Sequence, residues 1–222
     1  MHNNKDPKIV EFQNKILEWF ILEGRHFPWR NPSANNYQKI ISEVLLQRTR
    51  AETIAKYFPK FIKKYPSWRK LGLASEIELQ EVLRPIGLYK QRGSRMYKLA
   101  QQMKMRNGQF PSSRAEVEDF SMMGQYITNA YELFILKKPS PLLDVNMARV
   151  LERYFGPRKL ADIRYDSYLQ KLSKEVVDHL KLKEINWAIL DLGSLICKKK
   201  KPLCMSCPLY KNCNYWNKNF NQ

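Results

Sequence analysis

The sequence predicts an all-α protein, and three features of the 222-residue chain support this fold class. Apolar residues recur at the intervals of three and four that place them on one face of a helix. No stretch shows the sustained apolar–polar alternation that is typical of a half-buried strand. Prolines and glycines interrupt the periodic stretches and mark the turns between successive helices.

Predicted helices follow one another along the whole chain. The first begins at Asp6-Pro7, because an aspartate N-cap followed by proline is a typical helix start. A proline-rich break follows at residues 27–32. The apolar spacing then predicts helices around residues 40–46 and 54–62, others near Gly124 and Asp144, and two more over residues 167–181 and 184–196.

A large positive charge limits the kinds of partner. The formal net charge is +18 and the pI is about 9.8, while 44% of the residues are hydrophobic, as in an ordinary globular protein. Nucleic acid is the expected partner of so basic a protein. A membrane surface is the alternative, but no single helix combines a strongly basic face with freedom from core packing. No apolar run is long enough to span a membrane.

Four cysteines, the only ones in the chain, lie close together in the sequence: Cys197, Cys204, Cys207 and Cys213. Disulfides are one interpretation, but the chain begins with a polar stretch, and we expect a cytoplasmic protein, in which such bonds are rare. A four-cysteine zinc site is the second, although such sites usually show two CxxC pairs and only one is present. A [4Fe–4S] cluster is the third, and the spacing C-x6-C-x2-C-x5-C favours it.

The lysine run and two internal segments are the other candidate sites. Lys198–Lys201 fill the gap between the first two cysteines, and we interpret them as a phosphate-binding loop. Gly124 precedes a helix, so either its neighbouring N–H groups face a phosphate or the segment is an ordinary turn. Asp144 follows two leucines at a helix start, where a carboxylate is an N-cap or the charged group of a site.

The cysteine spacing, the turn at Gly124 and the downstream aspartate together resemble the endonuclease III superfamily of helix-hairpin-helix DNA glycosylases. The segments that extend the resemblance over nearly the whole chain are Phe27–Arg30, Ser42–Thr49, Ile86–Arg92 and Leu143–Asn146. Within the superfamily, the chain is most similar to the branch of adenine and G:T mismatch glycosylases.

This resemblance implies two helical lobes that bind DNA at the cleft between them. One would be a six-helix barrel with the helix-hairpin-helix over residues 26–137. The other would be a discontinuous lobe of residues 1–25 and 138–222, in which the four cysteines hold a [4Fe–4S] cluster. Double-stranded DNA with a mismatched or damaged base would be the partner.

Three residues receive chemical roles from the resemblance. Asp144 matches the essential aspartate, which stabilises positive charge on the sugar and orients a water. Tyr126 stands where lyases of the superfamily carry a lysine nucleophile, so the chain should lack lysine-dependent strand cleavage; alternatively, Tyr126 only packs in the fold. Glu43 is a candidate proton donor or hydrogen-bond partner for a flipped base, or else a solvated glutamate.

DNA contacts are implied in the same way. Arg48 and Leu88 match the positions that fill the space left by a flipped base, although Leu88 is also interpretable as a loop leucine that anchors the core. The expected phosphate-binding residues are Gly124, Gln125, Lys198, Lys199 and Lys200, with Arg92 and Arg95 as further candidates.

Two departures from the superfamily pattern bear on the function. Its hairpin commonly reads Leu-Pro-Gly-Val-Gly, whereas residues 120–124 read Phe-Ser-Met-Met-Gly, which places a side chain where the turn needs positive φ. The chain also stops soon after Cys213, so we expect it to lack the domain that adenine glycosylases use to read oxidised guanine. We therefore predict a monomeric, nucleoid-associated, monofunctional glycosylase for thymine or uracil opposite guanine. The alternatives are an adenine glycosylase and a catalytically silent iron–sulfur DNA-binding protein.

Overall fold

The computed structural model describes residues 5–220. Every regular element in that range is helical, so the predicted all-α class is confirmed. None of the helices in this range is long and apolar enough to cross a membrane. The α-helices are α1 (Pro7–Glu23), α2 (Asn36–Leu46), α3 (Ala51–Lys64), α4 (Trp68–Leu71), α5 (Glu76–Leu83), α6 (Tyr89–Met105), α7 (Arg114–Glu118), α8 (Gln125–Phe134), α9 (Val145–Phe155), α10 (Ser167–Val177), α11 (Leu182–Leu195) and α12 (Asn214–Phe220).

Polar side chains set the start of many of these helices. Asp6 accepts a hydrogen bond from the backbone N–H of Lys8 at the start of α1. Asn35 and Gln38 form a capping box at the start of α2, in which each side chain bonds to the other's backbone N–H at 2.9 Å. The helix predicted over residues 167–181 ends earlier, because Asp178 adopts ψ of 88° and leaves the helical conformation.

The chain divides into two compact units. The central unit is His26–Ile135, and the terminal unit combines Met1–Arg25 with Leu136–Gln222. In the central unit, α2 packs against α3 and α8, while α6 packs against α4 and α5. The core face of α2 is completely shielded from solvent at Ile40 and Val44, which fixes the orientation of the polar residue between them, Glu43.

The terminal unit has a core of its own, built where the chain's two end segments meet. Helix α1 packs against α11, and α9 packs against α10, α11 and α12. The Phe12 ring of α1 contacts the Tyr154 ring of α9 edge-on, with their centroids 5.1 Å apart. Such aromatic pairs add about 1 kcal/mol beyond the burial of their surfaces. This core supports α9, the helix that carries Asp144 at its start.

Candidate functional site

The central unit brings two predicted site residues into contact. The Tyr126 hydroxyl donates a hydrogen bond to Glu43 Oε2 at 3.0 Å. Glu43 is 3% exposed within α2, so it is not a solvated surface glutamate. Tyr126 is half-buried in the first turn of α8, which packs against α2. A buried carboxylate loses its hydration, which costs free energy. The hydrogen bond from the Tyr126 phenol offsets part of that cost.

The third predicted residue, Asp144, lies in the terminal unit as the N-cap of α9. Its Oδ1 accepts hydrogen bonds from the backbone N–H groups of Asn146 and Met147, each at 2.8 Å. Its Oδ2 accepts a further bond from Asn146 Nδ2 at 2.7 Å. The structure therefore contains the predicted cap, and these bonds fix both carboxylate oxygens in one orientation.

Burial raises the pKa of Asp144 above its ordinary value, because a poorly hydrated position disfavours the charged form. The hydrogen bonds from Met147 and Asn146, and the charge of Arg149, act in the opposite direction. When it is ionised, the half-buried carboxylate is held in one orientation by these fixed donors. A group in that state can stabilise a positive charge that develops beside it.

Arg149 ties the start of α9 to the end of α11. Its Nη2 donates hydrogen bonds to Asn146 Oδ1 at 2.9 Å and to the Gly193 carbonyl at 2.6 Å. Its Nε donates to the Cys197 carbonyl at 2.7 Å. A Cβ at position 193 would lie only 3.0 Å from Asn146 Cβ and 3.1 Å from the Asn146 carbonyl oxygen, so a larger residue there would require Asn146 to shift. The two helices therefore meet closely beneath the Asp144 cap.

Residues 120–124 form the turn that precedes α8. Met122 has φ of 68°, so the left-handed backbone expected in this turn is present on a residue other than glycine. The Met122 side chain is 4% exposed, and its carbonyl accepts a hydrogen bond from Gln47 Nε2 at 3.2 Å. Gly124, the N-cap of α8, has an ordinary φ of −69° and is exposed.

Beside this turn, the central unit contains a cavity of about 340 Å³. Arg48 and Leu88 stand at it with left-handed φ values of 58° and 51°. Leu88 is 53% exposed and therefore does not serve as a core anchor. The residues that line the cavity are Gln47, Arg48, Leu88, Gln91, Arg92, Arg95 and Met122.

Arg92 is buried at the base of these loops, unlike the exposed Arg95 on the same helix. Its Nη1 donates a hydrogen bond to the Leu45 carbonyl at 2.7 Å. Its Nη2 donates to the Gln47 carbonyl at 2.8 Å and to Thr49 Oγ1 at 3.0 Å. These contacts place the guanidinium inside the protein, which corrects the suggestion that Arg92 binds phosphate.

All four cysteines are half-buried free thiols in the terminal unit. Burial first, and then the neighbouring thiols of Cys197, Cys213 and Cys204, raise the pKa of Cys207 to about 12. The sulfur atoms therefore lie near enough to influence one another. Soft thiol donors of this kind suit zinc or an iron–sulfur cluster, either of which would bind them as thiolates.

The positions of the cysteine side chains point less clearly to a metal site than their chemistry does. Across residues 5–220, no three histidine, cysteine or acidic side chains stand in the geometry that holds a metal ion. The donor set fits a metal centre in its chemistry, and binding would remove the thiol protons.

Beside the first cysteine, the lysine loop has a fixed backbone and free side chains. Arg153 Nη1 donates a hydrogen bond to the Lys198 carbonyl at 2.8 Å, and Nη2 donates to the Lys199 carbonyl at 3.3 Å. The side chains of Lys198, Lys199 and Lys200 are exposed. A loop held in this way presents its charges to solvent, as contact with phosphates requires.

Comparison with known families identifies the superfamily of the chain. Residues 41–178 match the HhH-GPD superfamily of base excision DNA repair proteins. The chain belongs to this superfamily. The predictions of helix-hairpin-helix membership and of a DNA glycosylase are thereby confirmed.

Two relatives and one solved structure show the breadth of the superfamily around this chain. Thymine-DNA glycosylase of Aeropyrum pernix is 32% identical over 95% of this chain and 96% of its own length. Adenine DNA glycosylase of Buchnera aphidicola subsp. Baizongia pistaciae is 33% identical over 91% of this chain and 57% of its own length. A structure described as a thermostable thymine-DNA glycosylase superimposes with a TM-score of 0.87 at 29% identity, covering 95% of this chain and 97% of that one.

Sequence reasoning gave Arg149 no role and proposed Arg92 only as a phosphate-binding residue. Arg149 stands five residues after Asp144 on a helix, and this spacing was an available signal for a second contact at the cap. Arg92 offered no local signal, because its carbonyl partner Leu45 lies 47 residues away. Only the packed structure shows what each guanidinium binds.

Proposed function

We propose that this superfamily member is a monofunctional DNA glycosylase that hydrolyses the bond between deoxyribose and thymine or uracil mispaired with guanine. The observation that carries the proposal is the hydrogen-bonded pair of Tyr126 and Glu43, at a position where lysine-dependent lyases need an amine. The likeness to thymine-DNA glycosylase of A. pernix along 95% of the chain supports a pyrimidine substrate. The products are the free base and an abasic site.

In this proposal, Asp144 provides the electrostatic stabilisation of the reaction. When the bond at C1′ breaks, its electron pair leaves with the base, and positive charge develops on the sugar. The ionised carboxylate stabilises that charge, and its fixed hydrogen bonds from Asn146 and Met147 mean that little reorganisation is needed. A water adds to C1′, and the proton that it loses neutralises the departing base anion, which leaves the abasic sugar and the free base.

Glu43 and Tyr126 would recognise the everted base. The N3–H group of thymine or uracil is a donor, and the buried Glu43 carboxylate is an acceptor that the phenol orients. A phenol cannot form an imine with the opened sugar, so the chain should leave the DNA strand intact.

We also propose that Cys197, Cys204, Cys207 and Cys213 hold a [4Fe–4S] cluster. The support is the spacing of four soft donors and the mutual influence of their thiols. When bound, the cluster would cross-link this segment and stabilise the adjoining loop of lysines. The central unit would then act as the helix-hairpin-helix lobe and the terminal unit as the cluster lobe of a monomer that works on nucleoid DNA.

The deciding experiment is a single-turnover assay on end-labelled duplexes that contain T:G, U:G, A:G or A:8-oxoguanine. Half of each reaction is heated in alkali to break abasic sites. Breaks at T:G and U:G only after alkali are the expected result. Breaks without alkali would contradict the role given to Tyr126, and tight binding without any cleavage would favour a silent DNA-binding protein.

An adenine glycosylase is the second candidate function. The observation in its favour is the 33% identity to adenine DNA glycosylase of B. aphidicola. In the same assay, alkali-dependent breaks in the adenine strand, with T:G and U:G left intact, would establish this candidate instead.

A further inference from the structure

Three residues with left-handed backbone conformations meet at one cavity of the central unit. Arg48, Leu88 and Met122 have φ values of 58°, 51° and 68°, and all three line the cavity of about 340 Å³. A residue other than glycine adopts this conformation only at a cost in free energy. Strained backbone persists only where the surrounding structure holds it. We therefore expect a nearby residue that connects all three loops, namely those that carry Arg48, Leu88 and Met122.

Arg92 is that residue. Its side chain reaches two carbonyls and one hydroxyl of the loop around Arg48, at Leu45, Gln47 and Thr49. Its own backbone N–H donates to the Leu88 carbonyl at 2.9 Å. One residue therefore binds the loop that carries Arg48 and the loop that carries Leu88.

The third loop is attached through Gln47. While the Gln47 carbonyl accepts a hydrogen bond from Arg92, its side-chain amide donates to the Met122 carbonyl at 3.2 Å. Met122 belongs to the turn before α8, so a continuous path of hydrogen bonds joins Arg92 to the hairpin turn.

The chemistry of this position suits a buried guanidinium. The carbonyls of Leu45 and Gln47 lie at the C-terminal end of α2, where the last carbonyls lack helical partners and carry partial negative charge. Across residues 5–220, Arg92 forms no ion pair, so neutral oxygens provide its stabilisation. The following residue, Gly93, allows α6 to lie against α5, since a Cβ there would be 2.8 Å from Gln80 Cα.

We propose that Arg92 is a positioning residue that holds the three loops in one arrangement, so that Arg48 and Leu88 enter the duplex together. This role rests on the proposed function, because it concerns the gap left by an everted base. Arg92 itself touches neither DNA nor the reacting atoms.

The first test is hydrogen exchange of the three loops, which needs no DNA. Three turn N–H groups report on them: Thr49, Gly87 and Met123. In R92K and R92M, exchange should quicken on the order of tenfold in all three loops, while peptides from the rest of α8 stay unchanged. The exposed Lys98 on the same helix provides the matched control, and K98Q should exchange like the parent protein.

The second test compares affinity for an undamaged duplex with affinity for the same duplex carrying an abasic-site analogue opposite guanine. Binding to the undamaged duplex depends on phosphates and should be the same in R92K and the parent. The preference for the abasic analogue should fall on the order of tenfold. A milder variant, T49V, removes the hydroxyl that accepts from Arg92 at 3.0 Å and that donates to the Gln47 and Ile86 carbonyls at 3.5 Å. It should show a smaller change in the same direction, which keeps the test valid if R92M fails to fold.

Two results would overturn the positioning role. One is unchanged exchange of the loops in R92K and T49V. The other is quicker exchange with an unchanged preference for the abasic analogue. Failure of the proposed function looks different, because the parent protein would then cleave none of the mismatched duplexes while the exchange comparison would still be readable.

Discussion

At the scale of single residues, each of the two units holds candidate ionisable groups that are buried or half-buried, and each group is satisfied in a different way. Glu43 has a phenol donor, Asp144 has donors at a helix start, and Arg92 has carbonyls at a helix end. Burial of a charge is costly unless hydrogen bonds replace its hydration. These groups are therefore the places where a small change in chemistry should have a large effect.

Asp144→Asn should separate catalysis from stability. Glycosylase activity should fall by about 100-fold or more, because the charge that stabilises the sugar is lost.

The unfolded carboxyl of Asp144 loses its proton at lower pH than the folded one, whose pKa burial raises. The stability of the parent should therefore decline as the pH rises from the pKa of the unfolded carboxyl to the higher pKa of the folded one. Because asparagine keeps the N-cap, the variant should be at least as stable as the parent at neutral pH. Thermal unfolding between about pH 4 and about pH 8 measures this difference.

Asp166 provides the control with the opposite sign. It is also an N-cap, in α10, but backbone hydrogen bonds from Leu160 and Leu169 lower its pKa. Its contribution to stability is present above the unfolded pKa and is lost as pH falls, so Asp166→Asn should be destabilising at neutral pH. If Asp144→Asn proved equally destabilising, the account of a costly ionised Asp144 would be wrong.

At the scale of elements, the hairpin turn shows how a buried side chain can hold a strained backbone. Met122 occupies the left-handed position without glycine, and its side chain is nearly fully buried. The strain and the burial act in opposite directions on stability. The turn therefore keeps its left-handed conformation although methionine, and not glycine, occupies position 122.

A pair of variants at Met122 isolates the strain. Both Met122→Ala and Met122→Gly lose the buried side chain, but only glycine relieves the positive φ. The glycine variant should be more stable than the alanine variant by about 1 kcal/mol, measured by denaturant unfolding. At the neighbouring Met123, which is equally buried without positive φ, alanine should be the more stable. The same order at both positions would contradict the strained turn.

At the scale of the whole molecule, the net charge of +18 should dominate DNA affinity. Phosphate contacts release counterions, so log affinity should fall with log salt concentration at a slope of about −0.9 per contact. Changing Lys198, Lys199 and Lys200 to glutamine should make this slope shallower by about one for each lysine that touches a phosphate.

The same loss of charge elsewhere separates local contact from overall charge. Lys56, Lys60 and Lys63 are exposed on α3, and their change to glutamine provides the comparison. The slope in this variant should stay close to that of the parent. Equal effects in the two triple variants would show that the lysine loop makes no special contact with DNA.

Much of the fold and family could be predicted from the sequence, because their signals are local. Helical periodicity and caps such as Asp6 act over one or two turns, and the superfamily signature spans segments that keep their order in the chain. The candidate residues Glu43 and Tyr126 were found through that signature, whereas Asp144 was first noticed at a predicted helix start and received its role from the signature. Their roles and the iron–sulfur cluster stay predictions.

By itself, the sequence determined the all-helical class, the superfamily and the basic surface, since these follow from nearest neighbours along the chain and from total charge. Tertiary structure alone decided which buried groups are paired. The guanidinium of Arg92 bonds to Leu45 across 47 residues, and the Tyr126 hydroxyl bonds to Glu43 across 83. Contacts this distant in sequence arise from the packing of whole helices, and hydrogen bonding in a water-poor interior then selects each partner.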